Sequence, residues 1–357
     1  MIIMQIIRFN FNKIFFFFIF CILILPNELL SQNSEITKRL TGLDEFIETA
    51  MKDWDIPGLA VAIVKEDKII YSKGFGYRDI KNNLKVTNRT LFPIASCTKA
   101  FTATALGILS DEGRFNWDHP VREYIPFFKL KNDYIAANIT TRDMVTHRTG
   151  LARHSYMGWH TLFTRKELLE KLQYLEFNRG FRESYEYNNL MYMAAGCVVE
   201  GITGKTWEEF LKARIFEPLE MTETNFSIDE MKKSADFSHP YIKRDEGVFE
   251  HFYWDVEFIG PAASINSNVS EMANWIIMNL NDGSFKGKQI ISKEKLEEIM
   301  TPQVVASKII SDEEMFYKLY AMGWGINSYR GHLMAIHFGS LDGAKSLVSM
   351  LPKEKIG

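Results

Sequence analysis

A chain of 357 residues, 46% of them hydrophobic, can bury one large core or two intimate ones, which excludes a disordered or fibrous protein. Its 42 basic and 45 acidic side chains leave a formal charge of −3 with no long run of either sign, which argues against nucleic acid as a partner. No Cys/His pattern has zinc spacing and there is no HExxH, so no metal is expected; His154 and His160 read as loop or surface histidines.

The first stretch, MIIMQIIRFNFNKIFFFFIFCILILPNELLSQ, places Arg8 and Lys13 ahead of a charge-free run from Ile14 to Leu25, then Pro26 and polar residues. A spanning helix needs about 20 apolar residues, so residues 1–31 read as a secretory signal peptide cleaved near Ser31, with an uncleaved membrane anchor as the alternative. The expectation is a secreted or periplasmic protein with no stable membrane span beyond this segment. Cys21 lacks the small neighbours of a lipoprotein site. Cys97 and Cys197 survive cleavage, and their apolar helical surroundings suggest buried thiols rather than a disulfide framework. Sequons begin at Asn88, Asn138, Asn225 and Asn268, and matter only in a eukaryotic secretory pathway.

No repeat or linker divides residues 32–357, which read as one globular domain. GLAVAIVKEDKIIYSKGFGYRD (Gly58 to Asp79) alternates β-branched and aromatic residues around Lys65-Glu66-Asp67-Lys68, a hairpin signal. Helical patterns follow at Thr98 to Glu112 closed by Gly113, Thr141 to Thr146, Lys166 to Leu175, Leu190 to Ile202 closed by Gly204, and Trp207 to Ile215. YAMGWGINSY, LMAIHFG and KSLVSMLP read as three more strands. Strands at both ends with helices between predict an α+β fold. A mainly antiparallel sheet (about 40–95 and 265–357) would carry an inserted helical lobe (about 96–264), with a ligand cleft between them.

FPIASCTKAFTATALGIL sets Ser96 three residues before Lys99 at a helix start. Ser-x-x-Lys alone is weak evidence, because chance supplies such pairs. A second one, Ser292 to Lys295 in ISKEKLEEI, reads as a helix cap on a solvated face. The first differs because Phe101, Ala103, Ala105, Leu106, Ile108 and Leu109 cover most of the helix circumference, so Lys99 is expected to be partly buried. Burial favours the neutral amine, a base near neutral pH, and the spacing lets it approach the Ser96 hydroxyl. The competing reading makes Ser96 an N-cap and Lys99 a snorkelling side chain.

A serine–lysine hydrolase needs further parts, and SYEYNNLMYMAAGCVVEGITG offers two of them. The Tyr187 phenol, beside a lysine cation, would ionise more readily, and the Asn189 amide could bind a substrate carbonyl. Alone, they read as a half-buried aromatic and a helix cap. AIHFGSLDG adds His337 on a strand and Gly339, where the missing β-carbon permits close approach to a ligand.

Their order, Ser96-x-x-Lys99, Tyr187-x-Asn189, His337-x-Gly339, resembles the serine β-lactamase-like family, closest to its class C and penicillin-binding-protein branch. IPGLAVAIVKEDKIIYSKGFGYRD, TTRDMVTHRTGL and GPAASINSNVSEMANWI look like further blocks of that family in their usual order. The resemblance implies a β-lactamase/transpeptidase-like fold and hydrolysis through an acyl-enzyme, with no cofactor and a small-molecule or peptide substrate. It implies Ser96 as nucleophile, Lys99 and Tyr187 sharing the proton traffic, and Asn189 with His337 and Gly339 binding substrate. The backbone N–H groups of Ser96 and Ser340 would form the oxyanion hole.

The family's activities include β-lactamase, D-alanyl-D-alanine carboxypeptidase, D-amino-acid peptidase and esterase. A slow-acylating penicillin or peptidoglycan sensor and an assembly protein are the non-hydrolytic alternatives. Two departures matter. His337 and Phe338 stand where many relatives have lysine and a hydroxyl residue, so peptidase, amidase or esterase chemistry is expected over efficient β-lactam turnover. LPKEKIG stops where relatives continue into a strand and a helix, so those elements are expected to be missing.

Overall fold

The computed structural model describes residues 38–154, 157, 163–307 and 313–357. The expected signal peptide and His160 lie outside the described residues. No described helix is long and apolar enough to cross a membrane. The chain divides into two compact units, residues 1–54 and 55–357. The first holds helix α1 (Leu43–Trp54), whose opening Asp44 and Glu45 and closing Lys52 suit the helix dipole.

The second unit begins with strands β1 (Gly58–Lys65) and β2 (Lys68–Asp79), paired antiparallel across Glu66-Asp67, the turn expected from sequence. Helix α2 (Thr98–Asp111) is buried from Thr98 to Leu109, as an all-round apolar helix must be. Phe101 stacks on Trp275 with ring centroids 3.9 Å apart. Helix α3 (Asn189–Thr203) is buried from Leu190 to Val199 and ends at Gly204 in the left-handed conformation. Helix α4 (Val269–Leu280) carries its apolar residues at helical spacing, Val269, Met272, Ala273, Ile276 and Leu280, and its buried Glu271 accepts the N–H groups of Glu223 and Thr224. Helix α5 (Lys293–Met300) starts at Ser292, whose side chain accepts from the Lys295 N–H, as a cap does.

Strands β3 (Val304–Ser307), β4 (Met315–Tyr320), β5 (Gly325–Tyr329), β6 (His332–Leu341) and β7 (Ala344–Met350) form an antiparallel sheet in that order. The sequence pattern joined Tyr320 to Tyr329 in one strand; the structure breaks it with a turn at Ala321 to Trp324. There Gly323 takes φ 80°, and a β-carbon would come within 2.8 Å of the Lys99 carbonyl. The turn thereby seats the sheet directly on α2. Residues 96–264 also carry a two-stranded hairpin, Tyr241–Arg244 with Gly247–Glu250, where an all-helical lobe was expected. At the other end, Val64 and Gly357 exchange backbone hydrogen bonds of 2.8 and 3.0 Å, so the last described residues lie along β1.

Pairing between β5 and β6 ends at Gly325–Ile336, whereas β6 continues beside β7 to Leu341. From His337 onward, β6 therefore has a strand on one side only. This is the stretch that meets Ser96.

Candidate active site

Ser96 sits in a single 3-10 turn, Ala95–Cys97, that leads into α2, and its side chain caps nothing. The preceding Ala95 takes φ 45°, a left-handed conformation that costs energy for a residue with a β-carbon. The capping reading of Ser96 therefore fails. Its Oγ lies 3.2 Å from Lys99 Nζ and accepts a hydrogen bond from the Tyr187 hydroxyl at 2.9 Å.

The turn is fastened to the sheet. Ser346 Oγ on β7 donates to the Ile94 carbonyl at 2.7 Å, and Cys97 Sγ donates to the His337 carbonyl at 3.3 Å. A β-carbon on Gly339 would stand 2.1 Å from the Ile94 carbonyl oxygen and 2.0 Å from Ser346 Oγ. Gly339 is thus required by the close approach of the Ser96 turn, whereas the sequence reading assigned that approach to a ligand. Gly339→Ala is expected to cost about 3 kcal/mol, the upper range for overpacking, and to displace Ser96. Urea unfolding together with the rate of serine labelling checks this, and unchanged values for both would refute the packing argument. Burial pushes the Cys97 thiol up to about 11, which leaves it inert beside the reactive serine.

Lys99 is fully buried. Its Nζ donates to Asn189 Oδ1 at 2.8 Å and to the Ala262 carbonyl at 3.0 Å. Burial drives its pKa well below the ordinary lysine value; Cys97 opposes the fall and the charge of Arg153 adds to it. A neutral amine has two N–H donors and one lone pair. Asn189 and Ala262 take the donors, and the lone pair is left for the Ser96 hydroxyl proton.

Tyr187 and Asn189 arrive together because Asn188, between them, caps α3 by accepting from the Met191 N–H. The cap is Asn188 rather than Asn189, whose side chain stays free for Lys99. The expected easing of Tyr187 ionisation by a lysine cation does not occur. Burial outweighs the Ser96 hydrogen bond and raises the phenol well above its usual value, so Tyr187 is a neutral donor.

Behind this segment lies His147, fully buried, which sequence reasoning did not single out. Its Nδ1 accepts the Asn188 N–H at 3.1 Å, and its carbonyl accepts the Glu186 N–H at 2.7 Å. The proton therefore sits on Nε2, which has no partner among the described residues and faces tyrosine rings, the nearest being Tyr187 at 4.4 Å. Asp143, on the short helix Thr141–Val145 just before His147, binds both Arg148 and Arg182, which joins residues 143–148 to the approach to Tyr187. The block TTRDMVTHRTGL carried this signal, but a lone histidine offers no spacing from which to read it.

In the third motif, His337 Nδ1 donates to the Phe338 carbonyl at 2.8 Å, and Nε2 accepts from the Tyr320 hydroxyl at 3.1 Å. Both nitrogens are committed within the protein, so the expected direct contact of His337 with substrate is not what this arrangement provides. Burial, with Lys99, lowers its pKa to about 3, and the ring is neutral. A β-carbon on Gly339 would point at the Ser96 turn, as the Ser346 hydroxyl does, so Phe338, one residue over, points to the other face, where it is exposed. Ser340 ends the motif, its hydroxyl accepting from Lys345 Nζ at 2.5 Å. Among the described residues no cluster of His, Cys, Asp or Glu could hold a metal ion.

A serine and a buried lysine from one segment and a tyrosine from a second thus converge within an α+β fold. The chain belongs to the beta-lactamase family: the family described as Beta-lactamase matches residues 43–357. It is 26% identical over 321 residues to unguisins hydrolase ungD' of Aspergillus campestris, covering 86% of this chain and 58% of that protein. The chain thus spans about three fifths of the length of the curated relatives it matches. Among solved structures, the octameric penicillin-binding protein homologue of Pyrococcus abyssi superposes with TM-score 0.74 at 26% identity, over 89% of this chain and 72% of that one. The D-amino acid amidase of Ochrobactrum anthropi SV3 has the same fold, with TM-score 0.73 at 22% identity over 90% and 89% of the two chains.

Proposed function

We propose that this protein is a secreted or periplasmic serine hydrolase that cleaves an amide or ester through a Ser96 acyl-enzyme. The observation that carries the reading is the position of Ser96 Oγ, between the lone pair of a buried neutral Lys99 and the hydroxyl of Tyr187. In acylation, Ser96 Oγ attacks the carbonyl carbon while its proton passes to Lys99 Nζ. The tetrahedral intermediate collapses, the C–N or C–O bond breaks, and the leaving group takes up a proton through Tyr187 and the lysine ammonium. Water then attacks the ester and returns the proton, which frees Ser96. The backbone N–H groups of Ser96 and Ser340 are the proposed oxyanion donors. That ungD' is a hydrolase supports the reaction class.

His337 and Phe338 present neither a cation nor a hydroxyl to a β-lactam carboxylate, which favours peptidase, amidase or esterase substrates over cephalosporins. Intact-protein mass spectrometry after a fluorophosphonate probe, and separately a penicillin, tests the proposal on wild type and Ser96→Ala. A wild-type adduct absent from the variant is the expected result, and its decay under substrate-free conditions separates a hydrolase from a slow-acylating sensor. A folded wild type that gains no mass sinks the acyl-enzyme.

A further inference from the structure

Arg153 is exposed, and its guanidinium stands 5.3 Å from the centroid of the Tyr187 ring, so one aromatic ring separates it from the hydroxyl that binds Ser96. Other arginines around the helical segments are ion-paired: Arg148 and Arg182 with Asp143, Arg165 with Glu208, and Arg142 with Asp118. Arg153 has no carboxylate partner among the described residues. It is also the cation whose charge reaches Lys99, His147 and Tyr187, and no carboxylate acts on those three groups.

The other positive groups nearby are unavailable. Lys99 is buried and spends its donors on Asn189 and Ala262. His337 is neutral, with both nitrogens engaged. Lys345 already donates to Ser340. An unpaired guanidinium stacked on an aromatic ring keeps its outer N–H fork free, and that planar fork matches a carboxylate with two parallel hydrogen bonds.

We infer that Arg153 is a specificity-determining residue that binds a carboxylate of the substrate while the scissile carbonyl rests at Ser96. The anion site lies on the loop after His147, on the exposed side of Tyr187, instead of on strand β6. The inference rests on the acyl-enzyme reading and names the substrate class for it: acyl donors bearing a free carboxylate.

The test compares two five-carbon esters, neutral p-nitrophenyl valerate and anionic p-nitrophenyl hydrogen glutarate, as the ratio of their kcat/KM values. In Arg153→Ala the anionic-over-neutral ratio is expected to fall about tenfold, mainly through KM, the size of a partly exposed charge-assisted hydrogen bond. Arg153→Lys restores part of the ratio, and Arg153→Glu pushes it below that of the alanine variant. In wild type, raising the salt concentration shrinks the preference. A ratio unchanged in Arg153→Ala, or lowered instead by Lys345→Ala, overturns the inference and leaves the acyl-enzyme standing. If neither ester is hydrolysed in a Ser96-dependent way, both readings fall together.

Discussion

Lys99→Met is expected to give a protein at least as stable as the parent whose ester or amide turnover falls about a thousandfold to ten-thousandfold. The two halves have one cause. Lys99 is fully buried on a helix whose other side chains from Thr98 to Leu109 are also buried, and its amine is held there in the neutral form. At neutral pH the unfolded chain carries that lysine charged, so folding must remove a proton that water would keep. The folded pKa is depressed, which makes this penalty largest below the folded value and smaller as pH rises toward the ordinary lysine pKa.

Methionine fills a similar volume without the penalty, although Asn189 Oδ1 and the Ala262 carbonyl lose a donor. What it cannot supply is the lone pair facing Ser96. Thermal unfolding at pH 7 and pH 9.5, beside steady-state rates, checks both halves. The advantage of the methionine variant should narrow at the higher pH. A variant that is markedly less stable yet still active would show that Lys99 is a structural ammonium and not a base. Lys99→Arg sharpens the contrast, since it keeps a charge that cannot be shed and should lose both stability and rate.

Much of this was legible in the chain because the residues involved are local. Ser96 and Lys99 lie one helical turn apart, and the apolar wrap of Phe101, Ala105, Leu106 and Leu109 already implied a buried amine. Hairpin β1–β2 and helices α2 and α3 were visible for the same reason, since Gly113 and Gly204 mark where the apolar periods stop. The unread parts depend on contacts distant in sequence. Helix α4 is the exception: Val269, Met272, Ala273, Ile276 and Leu280 show a regular helical period that the sequence reading passed over. Strand β4 hides behind the irregularity between Phe316 and Leu319, where Tyr317 takes φ 62° and breaks the alternation. The role of Gly339 was misassigned because its neighbour, the Ile94 carbonyl, is far away in the chain. His147 and Arg153 gain meaning only once the fold places both against Tyr187.

Stability should also fall steeply on mild acidification, before the carboxylates titrate. His337 has its pKa lowered to about 3 and His147 well below the ordinary value, burial being the main cause in both. An unfolded histidine titrates near 6.5. Between there and the folded values the unfolded chain binds more protons, so stability is complete above pH 6.5 and is lost as pH falls.

At 1.36 kcal/mol per unit, His337 contributes about 2 kcal/mol of loss between pH 6.5 and 5, and His147 adds to it in the same direction. Glu200 and Glu257, whose pKa values are raised chiefly by burial, act in the opposite sense as they take up protons in the folded state. The net slope therefore mixes signs, and a variant isolates the histidine part. His337→Gln can still accept from the Tyr320 hydroxyl but cannot titrate, so its stability should decline less across that range, by about 2 kcal/mol relative to wild type. Urea unfolding at pH 6.5, 5.75 and 5 measures the difference. Parallel curves for the two proteins would mean that His337 is already charged in the folded state, and that the Tyr320 hydroxyl donates to something other than its ring.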